Sequence, residues 1–220
     1  MKNLLAFPSA RHCSKRVSRR TMLAGGAVLG AASALSIPAL ATRVSAASAT
    51  DKQNDLKILN NALYYEYQAI WAYNFAAGKL TNTDLGKAVL TVALANQADH
   101  KQHAKVLAAA VRSLGGTPAM ADTNYDLSAY LKAGEGGLDS DVNIAKLALA
   151  LETDAAIAYT KEIAQLKTPA LITAGASIGS AESAHAAFIR ATFKALGVDL
   201  KVVPTAFVSA DTRNAWILKV

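Results

Sequence analysis

Residues 62–73 read ALYYEYQAIWAY, and residues 148–159 read ALALETDAAIAY. Aligned on their shared Ala-Leu pair, the two stretches place Glu66 opposite Glu152 and end on the same tyrosine. Each glutamate interrupts an apolar helical pattern, and a lone buried carboxylate is unfavourable unless it is neutralised, paired or bound to a cation. The two stretches therefore indicate an internal duplication of helices that each carry one inward-facing carboxylate.

A second pair of repeats supports the duplication. Residues 103–115 read HAKVLAAAVRSLG and residues 185–197 read HAAFIRATFKALG, so that they share five of thirteen positions. Both end on Leu-Gly, which is typical of a helix C-terminus. The leading histidines align, and His100, three residues before the first of them, aligns with Glu182. We interpret the domain as two related helical hairpins.

The distribution of Gly, Pro and capping residues predicts four long helices in an Ala- and Leu-rich chain. The longest break, Thr117 to Ser140, is expected to hold one helical turn at Tyr125 to Lys132. We therefore predict an all-α four-helix bundle with one long crossover connection between helices two and three. The expected helices run from a cap at Asp51 or Asp55 to about Gly78, from Thr81-Asn82-Thr83 to Gly115-Gly116, from Asp139-Ser140-Asp141 to about Leu166, and from Thr168-Pro169 to Gly197.

Six residues are predicted to converge inside this bundle. Residues three apart share a helix face, so each even-numbered helix offers two ligands at one point and each odd-numbered helix adds one carboxylate. This is the ligand arrangement of two-metal carboxylate bundles. The predicted metal ligands are Glu66, His100, His103, Glu152, Glu182 and His185.

Two points in this assignment stay open at the level of the sequence. Gln97-x-x-His100 is an alternative ligand pair on the second helix, although the aligned Leu-Gly ends favour His100 with His103. Asp99 either orients His103 from outside the ligand set or is a solvated acid. Five aromatic residues around the first glutamate are expected to be core and interface side chains, with redox relays or hydrogen-bond donors to the metal ligands as the alternative: Tyr64, Tyr65, Tyr67, Trp71 and Tyr73.

Residues 1–46 read as an export signal. A basic stretch precedes an apolar run over residues 22–41, and small residues follow at 44–46, which is the order of a signal peptide. Residues 18–23, SRRTML, resemble a twin-arginine motif. An ordinary secretory signal and a membrane anchor are the alternatives. We predict a twin-arginine-type signal peptide, export by the twin-arginine translocase, and a periplasmic or otherwise exported protein.

Removal of this segment changes the charge of the protein. The predicted mature domain comprises residues 47–220, with a C-terminal tail from about 198. The whole chain has a net formal charge of +7, and the leader contains seven basic residues and no acidic one, so the mature domain has no net formal charge. A nucleic-acid or anionic-membrane partner for the mature domain therefore loses its main support, and we expect no nucleic-acid partner. The leader also holds the only cysteine, Cys13, so the mature domain has no disulfide framework.

With these residues in place, residues 55–205 resemble the ferritin-like superfamily, and specifically exported ferritin-like domain proteins with twin-arginine leaders. The resemblance implies a bundle with two metal ions bound at its middle by the six residues, iron or less often manganese. Zinc and copper are alternatives for a histidine-rich set. One departure is clear: the superfamily has Glu-x-x-His on both even-numbered helices, whereas this chain has His100-x-x-His103, with one carboxylate fewer.

The resemblance implies iron oxidation or storage, or dioxygen or peroxide chemistry, outside the cytoplasm. A non-catalytic stress or envelope protein that keeps the bundle without turnover is the alternative. The mature chain contains no Gly-rich phosphate loop and no nucleophilic Ser or Cys constellation. A homo-oligomer is compatible with the sequence.

Overall fold

The computed structural model describes residues 48–220, and the predicted leader lies outside this range. All regular secondary structure of the described residues is helical, and they contain no strand. The four long helices expected from the sequence are confirmed, as a bundle of two hairpins. In chain order the helices are α1 (Ala49–Ala77), α2 (Asp84–Ser113), the short α3 (Ser128–Lys132), α4 (Asp141–Ile163), α5 (Pro169–Ala195), a 3-10 turn (Ala210–Thr212) and the short α6 (Arg213–Trp216).

Local capping chemistry explains most of these boundaries. The Thr83 hydroxyl accepts the Gly86 N–H at 3.1 Å and starts α2, and the Ser140 hydroxyl accepts the Asn143 N–H at 3.2 Å and starts α4. Each satisfies a backbone donor that the first turn of a helix leaves free. At α5 the cap is Thr168 and a proline occupies the first helical position, as predicted.

The predicted cap of α1 was wrong. The cap is Ser48, whose hydroxyl accepts the Asp51 N–H at 3.1 Å. Asp55 instead lies within α1 and is fully buried. Its carboxylate accepts the N–H groups of Lys167 and Thr168 at 2.8 and 3.0 Å. The start of α1 therefore holds the loop between α4 and α5.

A repeat-related contact closes the opposite end of the bundle. Asp141, the first residue of α4, aligns with Asp55 in the register that aligns the two glutamates. Its carboxylate accepts the Thr81 N–H at 2.9 Å and the hydroxyls of Thr81 and Thr83 at 2.5 and 3.2 Å. Each hairpin therefore holds the loop of the other hairpin.

These two contacts define the direction of the helices. Helices α1 and α5 begin at one end of the bundle, because Asp55 binds the residues that lead into α5. Helices α2 and α4 begin at the other end, because Asp141 binds the loop that leads into α2. The connection from Leu114 to Ser140 therefore crosses the length of the bundle, and α3 lies within it.

Two apolar layers fill the bundle on either side of a buried polar layer. Full burial of one leucine side chain contributes about 1.5–3 kcal/mol, so these layers carry most of the stabilisation. The layer where α1 and α5 begin includes Leu59, Leu63, Leu107, Val111, Leu166 and Leu171. The layer where α2 and α4 begin includes Val89, Ile144, Ala145, Leu149, Ile189, Phe193 and Trp216.

The C-terminal segment, residues 198–220, packs against the second of these layers. The Trp216 side chain is 3% exposed, and Arg190 donates to the carbonyl oxygens of Lys201 and Trp216 at 3.0 and 2.5 Å. Arg213 binds the carboxylates of Glu135 and Asp154 through bonds of 2.5 to 2.8 Å. The segment that the sequence presents as a tail thus contributes Trp216 and Ile217 to the core. Within residues 48–220, no helix combines the length and the apolar character needed to cross a bilayer.

Candidate metal centre

All six predicted ligand residues meet in the polar layer between the two apolar layers. We call them the carboxylate–imidazole cluster. The three carboxylates, Glu66, Glu152 and Glu182, are at most 2% exposed. Among the imidazoles, His100 and His185 are buried and the His103 side chain is 14% exposed. Burial of six ionisable groups in one layer requires charge compensation within that layer.

One side of the cluster consists of Glu66, His100, His103 and Glu182. His100 Nδ1 lies 2.8 Å from Glu66 Oε2, and His103 Nδ1 lies 3.0 Å from Glu182 Oε1 and 3.5 Å from Glu66 Oε2. One candidate ligand atom from each of the four residues lies within 4.8 Å of the others. These four side chains can surround one cation.

The other side consists of His100, Glu152, Glu182 and His185, under the same 4.8 Å limit. His185 Nδ1 lies 3.1 Å from an oxygen of Glu152 and 3.1 Å from Glu182 Oε2, and His100 Nε2 lies 3.2 Å from Glu152 Oε1. His100 and Glu182 belong to both sides. His100 and Glu182 also occupy equivalent positions in the two repeats, so the residues shared by both sides of the cluster are related by the internal duplication.

Two buried atoms show that the donor set suits a cation. Within the described residues, His103 Nδ1 and Glu182 Oε1 make no hydrogen bond of acceptable geometry, although they lie 3.0 Å apart. Buried polar atoms without a partner are rare and require an explanation. Imidazole nitrogen and carboxylate oxygen are both good ligands for iron, manganese and zinc. The buried histidines and glutamates are thus able to bind metal ions.

Two tyrosines hold the outer carboxylates in a crosswise arrangement that the sequence did not reveal. Tyr73 of α1 donates to Glu152 of α4, and Tyr159 of α4 donates to Glu66 of α1. Asn96 Nδ2 adds bonds of 3.1 Å to the Tyr73 hydroxyl and 3.3 Å to Glu152. The available signal was the Glu-to-Tyr spacing of seven residues in both repeats, which puts the two side chains on one helix face.

Asp99 and Gln97 resolve the two points that the sequence left open. Asp99 Oδ2 lies 3.2 Å from His185 Nε2, so its imidazole partner is His185 and not His103, although the aspartate side chain is 61% exposed. Gln97 donates to the Ile70 carbonyl at 3.1 Å and to Asn74 at 2.7 Å, outside the cluster. The structure therefore brings together His100 and His103 and leaves Gln97 out.

The metal-free cluster is compensated by its own imidazolium groups. Burial disfavours the charged form of each histidine, but the adjoining carboxylates outweigh burial and raise the pKa of His103 to about 9 and of His185 to about 10. The pKa of His100 is also raised well above its usual value, against burial, by Glu152 and Glu66. Burial alone would raise the pKa of Glu152, yet the neighbouring His100 and His185 hold it well below its usual range.

The tyrosines of the cluster stay neutral. Burial, and then the carboxylate that each one contacts, raises the pKa of Tyr73 and of Tyr159 well above the usual value. A neutral phenol is a hydrogen-bond donor, so each ring orients its glutamate. The other aromatic residues near Glu66 are outside the cluster, as expected: Trp71, for example, stacks on Phe75 with ring centroids 5.0 Å apart.

Comparison with known proteins agrees with this architecture. No curated protein shows a significant match. A solved structure of a conserved hypothetical protein from Mycobacterium tuberculosis is similar over 69% of this chain and 98% of its own, with a TM-score of 0.57. At 17% sequence identity this likeness concerns the fold alone. The model of the ferritin-like domain family matches residues 54–195, which include both hairpins and all six residues of the cluster, and the chain therefore belongs to this family.

Proposed function

We propose that the carboxylate–imidazole cluster binds two metal ions, with iron as the resident metal and manganese as the alternative. The observation that carries the proposal is the pair of overlapping four-residue groups, each within 4.8 Å, that share a central glutamate. Two divalent ions would bring four positive charges into a layer with three buried carboxylates and would let all three imidazoles be neutral ligands.

The contacts of Glu182 support a bridging role for its carboxylate. Its Oε1 faces His103 at 3.0 Å and its Oε2 faces His185 at 3.1 Å, so the two oxygens point toward opposite sides of the cluster. Glu66 with His103 would complete one side, and Glu152 with His185 the other. His100 occupies the position that repeats Glu182, so the ions would be held with one carboxylate fewer than in the superfamily pattern.

Bound iron would supply the electrons for chemistry with dioxygen or peroxide, either as iron oxidation and storage or as peroxide decomposition. The chain's own residues would bind and orient the ions and exclude water. Tyr73 and Tyr159 fix the carboxylates from the opposite hairpin, and Asp99 fixes the His185 ring through its outer nitrogen.

A non-catalytic stress or envelope protein is the second candidate. The observation that favours it is that the cluster can satisfy its own charges. Every carboxylate has an imidazole nitrogen within 3.2 Å, as an ion-pair network without metal would. In that case the bundle would be complete without a cation.

Metal content and thermal unfolding distinguish the two candidates. We expect two metal ions per chain, and ferrous or manganous ion should raise the Tm by several degrees relative to chelator. Binding to the folded state alone contributes about 2.7 kcal/mol at a hundredfold excess over Kd. Glu152→Ala should remove most of the gain, whereas Glu162→Ala, on the same helix but outside the cluster, should keep it. An unchanged wild-type unfolding curve would favour the non-catalytic candidate.

We further propose that the protein acts outside the cytoplasm after export through the twin-arginine translocase, with cleavage near Ala47. The support is the SRRTML motif at residues 18–23 ahead of a mildly apolar run. Export in a folded state would allow metal to be loaded before translocation. Replacement of Arg19-Arg20 by Lys-Lys should retain the protein in the cytoplasm in cell fractionation. Normal export of that variant would refute the twin-arginine route.

A further inference from the structure

The bundle contains an apolar cavity of about 400 Å³ that opens onto the carboxylate–imidazole cluster. Its lining comes mainly from the second half of α1, the first half of α2, most of α4 and the last turns of α5, with Leu127 and Tyr130 from the long connection. Most of these residues lie between the cluster and the end where α2 and α4 begin, and the lining continues along α4 past Glu152 to Tyr159. We call this part of the bundle the cavity half, and the part on the other side of the cluster the packed half.

The two halves differ although the repeat relates them. The packed half is filled by leucines, and its cavity measures only about 20 Å³. The register that aligns Glu66 with Glu152 aligns Leu59 of the packed half with Ala145 of the cavity half. Leu59 is buried in the packed core, whereas Ala145 lines the cavity. The small side chain of Ala145 thus leaves space in the cavity half, whereas Leu59 fills the equivalent space in the packed half.

The cavity wall is mainly apolar, and its fully buried polar groups lie at the inner end. They belong to the cluster and to its two tyrosines, whereas the other polar lining residues, such as Gln68, Asp154 and Thr192, are half-buried. Along α1 and α4 the wall includes several alanines, among them Ala69, Ala72, Ala76, Ala145 and Ala148. At the other end, three apolar lining residues are exposed to solvent, Phe75 at 40%, Val142 at 37% and Leu196 at 52%. These three residues mark the mouth of the cavity.

We infer that this cavity binds a slender alkyl-chain amphiphile. Ligand cavities have this size and this character, an apolar wall with a few polar groups at one place. The chain would enter past Phe75, Val142 and Leu196 with its polar head at the mouth. The apolar end would point inward, because most of the wall is apolar and a polar head at the mouth keeps its contact with water. That this end then lies beside metal ions rests on the proposed function, but the binding itself does not.

Fluorescence titration of the full-length chain with cis-parinaric acid, an alkyl-chain carboxylic acid, tests the inference. Wild type should bind one molecule per chain with saturation. Ala145→Leu, which copies the packed half into the cavity half, should weaken binding by roughly tenfold or more, equivalent to about 1.4 kcal/mol. Its Tm should be equal to or above that of wild type, because the added side chain fills apolar space. Ala109→Leu, on the exposed face of α2 and away from the cavity, is the matched control and should bind as wild type does.

A second variant, Ala76→Leu, covers the case that Ala145→Leu does not fold, and it should weaken binding in the same way. Absence of saturable binding to wild type would overturn the inference, as would equal binding by wild type and both cavity variants, which indicates adventitious surface binding. Metal content measured on the same samples separates this inference from the proposed function. Probe binding without metal uptake would refute the two-metal site alone, and metal uptake without probe binding would refute the cavity alone.

Discussion

The hydroxyl groups of Tyr73 and Tyr159 each bind a glutamate of the opposite hairpin, so they determine where the carboxylates point. Tyr73→Phe and Tyr159→Phe should each weaken metal binding by about 10–100-fold, the usual effect of removing a group that orients a metal ligand. Competition with a chromogenic chelator would measure the change. Tyr64→Phe, an exposed residue of the same helix, is the control. Unchanged affinity in both cluster variants would show that the tyrosines serve packing alone.

Metal binding should depend on pH through the histidines. In the metal-free cluster the pKa of His103 is raised to about 9 and that of His185 to about 10, so both imidazoles are protonated and positively charged at neutral pH. Ligation requires the neutral imidazole, so the metal must displace these protons. We therefore expect the affinity for manganous ion to rise with pH between pH 6.5 and 8.5 and protons to be released on binding.

Calorimetry in buffers of different ionisation enthalpy would count the released protons. The His103→Gln variant should release fewer of them. A pH-independent affinity would mean that the rings are already neutral in the metal-free protein, contrary to the ion pairs described above.

At the scale of the helices, Asp55 and Asp141 should be more important than ordinary surface acids. Each one satisfies backbone N–H groups of a distant loop, and the loss of a bond to a charged group costs about 1.5–3 kcal/mol. Asp55→Ala and Asp141→Ala should each lower the free energy of unfolding by about 2–3 kcal/mol in denaturant titrations. The exposed Asp84→Ala should change it by less than about 1 kcal/mol. Equal effects of all three substitutions would contradict the loop-closing role.

The capping residues show how far sequence alone predicts the helices. Thr83 and Ser140 were among the expected caps because a capping hydroxyl acts within three residues of its own position. Thr168 was expected because a proline follows it at the first helical position, although its hydroxyl makes no capping bond. Asp55 was misassigned because its partner Lys167 lies 112 positions away, and nothing local distinguishes it from a cap. Asp99 illustrates the same limit, since its spacing favours His103 but the packing of α2 against α5 places it beside His185.

At the scale of the whole molecule, the C-terminal segment should be essential for stability. Trp216 is 3% exposed, packs in the core of the cavity half and donates its indole N–H to the Phe207 carbonyl at 2.9 Å. Trp216→Ala should cost about 3–5 kcal/mol, as large core truncations do. Phe207→Ala is the control from the same segment, because this side chain is 73% exposed, and it should change stability by less than about 0.5 kcal/mol. Similar unfolding midpoints for the two variants would show that the segment is dispensable.

The internal repeat allowed the bundle and the convergence of six residues to be anticipated, because Glu66 and Glu152 are tied to helix faces by spacing alone. It could not reveal the cavity. Ala145 and Leu59 both fit an apolar helix face. Only the three-dimensional packing shows that Leu59 fills the space in the packed half, whereas Ala145 leaves space in the cavity half. The crosswise tyrosine bonds were likewise hidden, since a repeat shows which residues correspond but not which ones touch.

Asp55 and Asp141 each bind the loop of the other hairpin, so the two hairpins are suited to reassembly from separate fragments. Residues 121–124 are exposed within the long connection, so a cut between Thr123 and Asn124 would yield two fragments of one hairpin each. The first fragment would carry Glu66, His100 and His103, and the second would carry Glu152, Glu182 and His185. Neither fragment alone would contain all the residues of the cluster. Neither would contain both the aspartate and the loop that this aspartate binds. Mixing the fragments should restore helicity measured by circular dichroism, more completely with manganous ion than with chelator, and metal would then act as the ligand that reports reassembly.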